Sequence, residues 1–190
     1  AVEDVRLPYW LYLDYALLIE NGIAQMLGIR WWILPADVMD GGVLLTDERD
    51  PGPLRLHEAR GVFSKGWALE SWETAESFDH AVTRVMALGR AGELRRRGVV
   101  QTPEEGPLEL PAAAGAAGGA DPTVELLGVE PGRLRFRVES ESPTVLATNE
   151  FFHPDWTARA EGRSLPIVRV NAAFVGAVVP GGVNEVELAR

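Results

Sequence analysis

The sequence predicts an α+β fold: a small mixed helix-and-strand part over residues 1–102, a Pro/Gly/Ala-rich linker over 103–122, and an antiparallel β-sandwich over 123–190. Three observations carry this. Residues 103–122 (PEEGPLELPAAAGAAGGADP) offer too little side chain to offset the entropy of ordering them, so they read as a surface loop or hinge. Beyond them, Leu134, Phe136 and Val138 alternate with Arg133, Arg135, Arg137 and Glu139, the period of a strand with one wet face. Before them, Ser77 to Leu88 carries Phe78, Ala81, Val82, Val85 and Met86 at helical spacing.

Along the first part, Pro8 to Leu27 reads as a helix, with Leu11, Tyr15, Ala16, Leu18 and Ile19 clustered at helical spacing and Gly28 as its stop. Ile29 to Leu34 reads as a buried strand closed by Pro35. An acidic loop over 37–53 holds a short apolar strand at Val43 to Leu45. Leu54 to Glu58 and Ala68 to Glu73 look like strands, and Glu93 to Gly98 like a polar turn. Thr74 or Ser77 can cap the 77–88 helix, and Gly89 can end it. In the second part, strands are expected near 144–149, 157–160, 165–170, 174–179 and 184–189. Turn signals at Glu130-Pro-Gly132, Glu161-Gly162 and Pro180-Gly-Gly182 separate them, and short, evenly spaced strands argue for a sandwich.

A chain of 190 residues can bury a substantial core. Its formal charge of −10 argues against nucleic acid and against docking on anionic lipid, both of which attract a basic surface. Lys65 is its only lysine, beside 17 arginines, which reads as composition bias. Without cysteine, it can build neither a disulfide nor a thiolate metal site. The most apolar stretch, Tyr9 to Leu34, is broken by Asp14, Glu20, Asn21, Gln25 and Arg30. Each charge at the centre of a spanning helix costs on the order of 3 kcal/mol, so this stretch reads as a buried or partner-facing helix. It also carries more apolar side chains than one helix stripe can bury.

From Val145 onward, an apolar strand runs into Phe151-Phe-His-Pro-Asp-Trp156, then Glu161-Gly162, Pro166-Ile-Val-Arg-Val-Asn171, Phe174 to Gly182 and a last strand to Leu188. This order resembles the C-terminal segment of the bacterial YfhO-like membrane proteins. Upstream, Leu27-Gly-Ile-Arg-Trp-Trp-Ile33 and Leu54-Arg-Leu-His-Glu58 resemble strands of the same family. Pro-Asp-Trp stands where the family has Pro-Gly-Trp, and Glu-Gly where it has Asp-Gly. YfhO-like proteins look like GT-C glycosyltransferases, which take sugar from a polyprenyl-phosphate carrier outside the membrane. The resemblance implies a non-catalytic extracytoplasmic domain, on the outer face of a bacterial cell membrane. Its implied partner is its own transmembrane domain, with a cell-envelope glycan as a further candidate. On this reading the chain itself carries no catalytic residue, cofactor or metal.

Two further readings stay open. In an independent carbohydrate-binding module, Trp156 with His153, Trp67 and Trp72 would form the sugar-stacking surface, although large aromatics more often fill cores. In a glycoside hydrolase, Glu70 and Glu73 would supply carboxyls, which that chemistry needs about 5–10 Å apart across a cleft. Glu161-Gly162 reads as a β-turn. The acidic group Asp37, Asp40, Asp47, Glu48 and Asp50 matches no EF-hand spacing, and His57, His80 and His153 have no metal-ligand spacing.

Overall fold

The computed structural model describes residues 22–35, 44–45, 54–58, 61–101 and 120–190, with the backbone alone for 31–35, 44–45 and 54–58. These residues are mostly β. Three strands near the N-terminus, β1 (Trp31–Pro35), β2 (Leu44–Leu45) and β3 (Leu54–Glu58), form a small antiparallel sheet in the order β1-β3-β2. A six-stranded sheet runs β4-β9-β13-β12-β6-β5 and a five-stranded sheet runs β11-β10-β14-β8-β7. Their strands are β4 (Gly66–Leu69), β5 (Ser71–Thr74), β6 (Arg97–Gln101), β7 (Thr123–Glu130), β8 (Arg133–Ser140) and β9 (Thr144–Phe151). The rest are β10 (Thr157–Ala160), β11 (Arg163–Leu165), β12 (Ile167–Val170), β13 (Phe174–Val179) and β14 (Gly182–Ala189). The described helices are α1 (Ile23–Met26) and α2 (Phe78–Arg90).

Most of the expected 8–27 helix lies outside the described residues; within them, α1 starts afresh at Ile23 after Gly22, which is left-handed at φ 67° and interrupts a continuous helix, and Gly28, left-handed at φ 76°, follows as a stop requires. Most of the acidic loop also lies outside. Helix α2 begins where expected, with the Ser77 side chain accepting from the His80 N–H at 3.1 Å. It does not stop at Gly89, which is buried within it; the chain turns left-handed only at Gly92.

Two expected strands are each split. The 68–73 segment breaks at Glu70: β4 pairs with β9 at one edge of the six-stranded sheet, and β5 pairs with β6 at the other. One residue, Glu70, thus links strands at opposite ends of the sheet order, so the sheet curls enough to bring those ends together there. The 165–170 segment breaks at Pro166, which has no N–H to give a ladder. There the chain crosses from β11 in one large sheet to β12 in the other.

Strands β6 and β7 were not anticipated. Strand β6 overlaps the expected 93–98 turn only at Arg97 and Gly98, and the register of β7 shifts between Leu126 and Gly128. Strands β4, β5 and β6 lie before the 103–122 segment, yet they share a sheet with β9, β12 and β13 from beyond it. The sheet therefore draws on both sides of the expected linker.

Two hydrophobic clusters explain the layering. Leu134, Phe136 and Val138 of β8, Ala158 of β10 and Leu188 of β14 meet Leu146 of β9 and Val175, Ala177 and Val179 of β13. This is the interior between the two large sheets. On the other side of the six-stranded sheet, Val99, Val145, Val168 and Phe174 pack with Ala81, Val85 and Leu88 of α2 and Met26 of α1. Strand β9 is covered on both faces, so Thr144 to Thr148 are all buried. Its two threonines are satisfied by backbone carbonyls, Thr144 at Leu69 (2.9 Å) and Thr148 at Val175 (2.8 Å). Gly176 of β13 sits where a Cβ would lie 2.8 Å from the Leu146 carbonyl oxygen, so only glycine fits that crossing.

Candidate functional site

The aromatic and acidic residues that stand out in the sequence are absorbed mainly by the fold. Trp156 is 6% exposed, inside the cluster between the two large sheets, and its Nε1–H donates to the Phe151 carbonyl at 3.0 Å. Trp67 is equally buried, but on the other side of the six-stranded sheet, edge-on to Phe63 with ring centroids 5.0 Å apart. Trp72 is half-buried against that same cluster. A sugar-stacking platform needs exposed, coplanar ring faces. Two of the three tryptophans present none, and Trp156 belongs to a different cluster from Trp67 and Trp72. His153 lies in the turn before Trp156, where its Nδ1 accepts from the Asp155 N–H at 3.3 Å. That bond shapes the turn that delivers Trp156 to the core.

The carboxylates are held by arginines. Glu73 on β5 receives a two-point contact from Arg84 of α2, at 2.6 and 3.0 Å. That hydrogen-bonded guanidinium holds the Glu73 carboxyl below the ordinary carboxylate range, against a smaller opposing effect of burial. A glycosidase general acid needs the reverse shift. Glu70 is paired with Arg96 at 2.7 Å, in an open cleft walled by Phe63, Trp67 and Asp121. Glu161 and Gly162 both have positive φ, 51° and 78°, and form the two-residue turn between β10 and β11. Among the described residues no group of three or more His, Asp or Glu is placed to hold a metal ion. The side chain of His57 and the 37–50 acidic group lie outside the described residues.

The Glu73–Arg84 pair carries a pH expectation. A depressed carboxyl pKa contributes stability that is complete above its ordinary value of 4.5 and lost as pH falls through the folded value. The pair is partly exposed, so the effect is small. Glu73→Gln is expected to lower stability slightly at pH 7 and leave it unchanged near pH 2, as measured by urea midpoints at both.

The feature that sequence reasoning missed is an apolar groove. It holds a volume of about 100 Å³ and is lined by Ile23 and Met26 of α1 and the Leu27 that caps it, by Phe78, Val82, Val85 and Met86 of α2, and by Asn171 to Phe174. Nearly all the surface facing it is apolar. Phe78, the first residue of the stripe read from the sequence, is 47% exposed at its mouth. An engineered cavity of roughly 150 Å³ admits benzene, so this space takes about one side-chain tip.

Asn171 organises the groove floor. It is 3% exposed and left-handed at φ 49°. Its Oδ1 accepts from the Val99 N–H at 2.9 Å, its own N–H donates to the Val99 carbonyl at 2.7 Å, and its Nδ2 reaches Met26 Sδ at 3.2 Å. One side chain thus ties the β12–β13 turn to β6 and α1. The sequence signal was an Asn closing an apolar strand, read only as a strand end.

Comparisons with protein-family models, with curated proteins and with solved structures found no match.

Proposed function

We propose that this chain is a non-catalytic, two-sheet β-sandwich domain on the extracytoplasmic face of a bacterial membrane, packing on the transmembrane domain of a YfhO-like, GT-C-type protein. The observation that carries this reading is how the 145–188 signature is used. Trp156 is a core residue, Glu161-Gly162 a hairpin turn, and Phe174 to Val179 the strand buried between both clusters. A signature spent on architecture fits a family resemblance in a supporting domain better than a reaction centre.

The packing surface expected from the sequence is the Tyr9 to Trp32 stretch. Where its side chains are described, Ile23 and Leu27 border the apolar groove, which supports an apolar partner. Among the described residues no helix is long and apolar enough to cross a membrane.

The test is the coding sequence around this segment. The reading expects repeated apolar stretches of about 20 residues and a carboxylate in the first outer loop. A secretory leader with no spanning segment would remove the membrane partner.

A further inference from the structure

We propose that the open cleft beside β4 receives an extended peptide bearing a carboxylate, which adds to the free edge of β4 as a short strand and sets its carboxylate on Arg95. The inference stands on strand pairing and on the chemistry of the cleft, and does not depend on the membrane-domain reading.

Strand β4 has one unpartnered side. It pairs with β9, and among the described residues no strand pairs with its other edge. The Asn149 N–H donates to the Lys65 carbonyl at 3.3 Å, which makes 65 and 149 a hydrogen-bonded pair. Alternation then bonds Trp67 to Ala147 and Leu69 to Val145, and turns the N–H and C=O groups of Gly66 and Ala68 away from β9. The Gly66 carbonyl accepts from the Ser64 hydroxyl. Ala68, half-buried and lining the cleft, keeps both a donor and an acceptor on the free side. Those are the groups an added strand uses.

The cleft has the shape for such a strand. The ends of the six-stranded sheet meet at Glu70, whose N–H donates to the Arg96 carbonyl at 2.8 Å. Toward Gly66 the space opens, with Gly92, Arg95 and Arg96 as its far wall. Its volume of about 470 Å³ lies within the range of ligand clefts. The four residues of β4 offer an edge about 13 Å long.

The charges select an acidic occupant. Both carboxylates of the cleft are already held by Arg96, Glu70 at 2.7 Å and Asp121 at 3.4 Å. Arg95 has no carboxylate partner among the described residues. It lies over the Phe63 ring, 5.2 Å from the centroid, and donates to the Val62 carbonyl at 3.3 Å. The stack and the bond fix the guanidinium plane and leave most of its donors open, as two-point binding of a carboxylate requires. Trp67 lines the same cleft, and its buried Nε1–H has no acceptor among the described residues. Two donors short of an acceptor, beside carboxylates already neutralised, favour a ligand rich in carbonyl and carboxylate oxygen over a basic one.

The probes are two blocked tetrapeptides, acetyl-Val-Asp-Val-Thr-amide and its counterpart with Asn for Asp, titrated into the full isotope-labelled chain and followed by NMR. The acidic peptide is expected to shift the Ala68 amide, the Arg95 side-chain N–H and the Trp67 indole N–H together. It should bind about tenfold or more tightly than the Asn form, the margin of a charge-assisted bond. Arg95→Gln should abolish that preference, and Arg90→Gln, exposed and outside the cleft, should leave it intact. Methylating the backbone nitrogens of the acidic peptide should abolish binding, because an added strand needs its N–H groups. Circular dichroism checks the fold of each variant. Three results would each overturn the proposal: no binding up to about 10 mM peptide, equal affinity for the two peptides, or shifts at Arg95 without any at Ala68, which would mark a surface ion pair only.

Discussion

Trp156→Ala is expected to cost about 3–5 kcal/mol of folding stability, the usual range for removing a buried tryptophan. Its ring fills the space between the two large sheets, and its indole N–H is matched to the Phe151 carbonyl. A typical domain holds only about 5–15 kcal/mol in total, so the variant should be at or near the edge of unfolding at 37 °C. Chemical denaturation followed by circular dichroism measures this. Trp156→Phe keeps most of the apolar volume, loses the bond, and should fall between the two. A ring serving as a sugar platform behaves differently, because its loss weakens ligand binding and leaves stability within about 0.5 kcal/mol. The denaturation midpoint therefore separates core from platform without knowing any sugar.

Asn171→Ala should cost about 3 kcal/mol, from two sources that can be separated. Losing Oδ1 leaves the buried Val99 N–H without a partner, worth about 1–3 kcal/mol. Alanine must also hold the left-handed conformation at φ 49°, worth a further 1 kcal/mol or so. Asn171→Gly removes the second cost and keeps the first, so it should recover roughly 1 kcal/mol relative to alanine. Equal stabilities for the two variants would show that backbone strain plays no part. Because Nδ2 also reaches Met26, loss of Asn171 should loosen α1 and the groove wall before the sheets, visible as faster hydrogen exchange at Met26 and Leu27.

Elements with a strong local period were legible in the sequence. The Arg/apolar alternation of β8 and the stripe of α2 each report one wet face and one dry face, and both appear where expected. The turn at Glu161-Gly162 was legible because its conformation is set by two adjacent residues. What stayed hidden depends on distant partners. The breaks at Glu70 and Pro166 arise because each segment serves two pairings, which no local window contains. Strand β6 is short, follows a run of arginines, and is defined by β5 and β12 on either side.

The same limit governs the candidate site. Trp67, Trp72 and Trp156 look like one aromatic group in composition, but opposite faces of one sheet separate Trp156 from Trp67 and Trp72. Glu70 and Glu73 look like paired carboxyls, but each faces its own arginine, Arg96 and Arg84. The groove was invisible because its walls come from stretches about 60 and 90 residues apart, and Asn171 reads as an ordinary turn residue.

Hydrogen exchange at the Trp156 indole tests most directly whether the conspicuous aromatics build the core. That N–H is buried and bonded to Phe151 at 3.0 Å, so it should exchange only through opening of the two-sheet core, as slowly as the amides of Val145 and Ala177. Exchange at the rate of a free indole would place Trp156 at the surface, contradict the architectural role assigned to the 145–188 segment, and favour the carbohydrate-stacking reading instead.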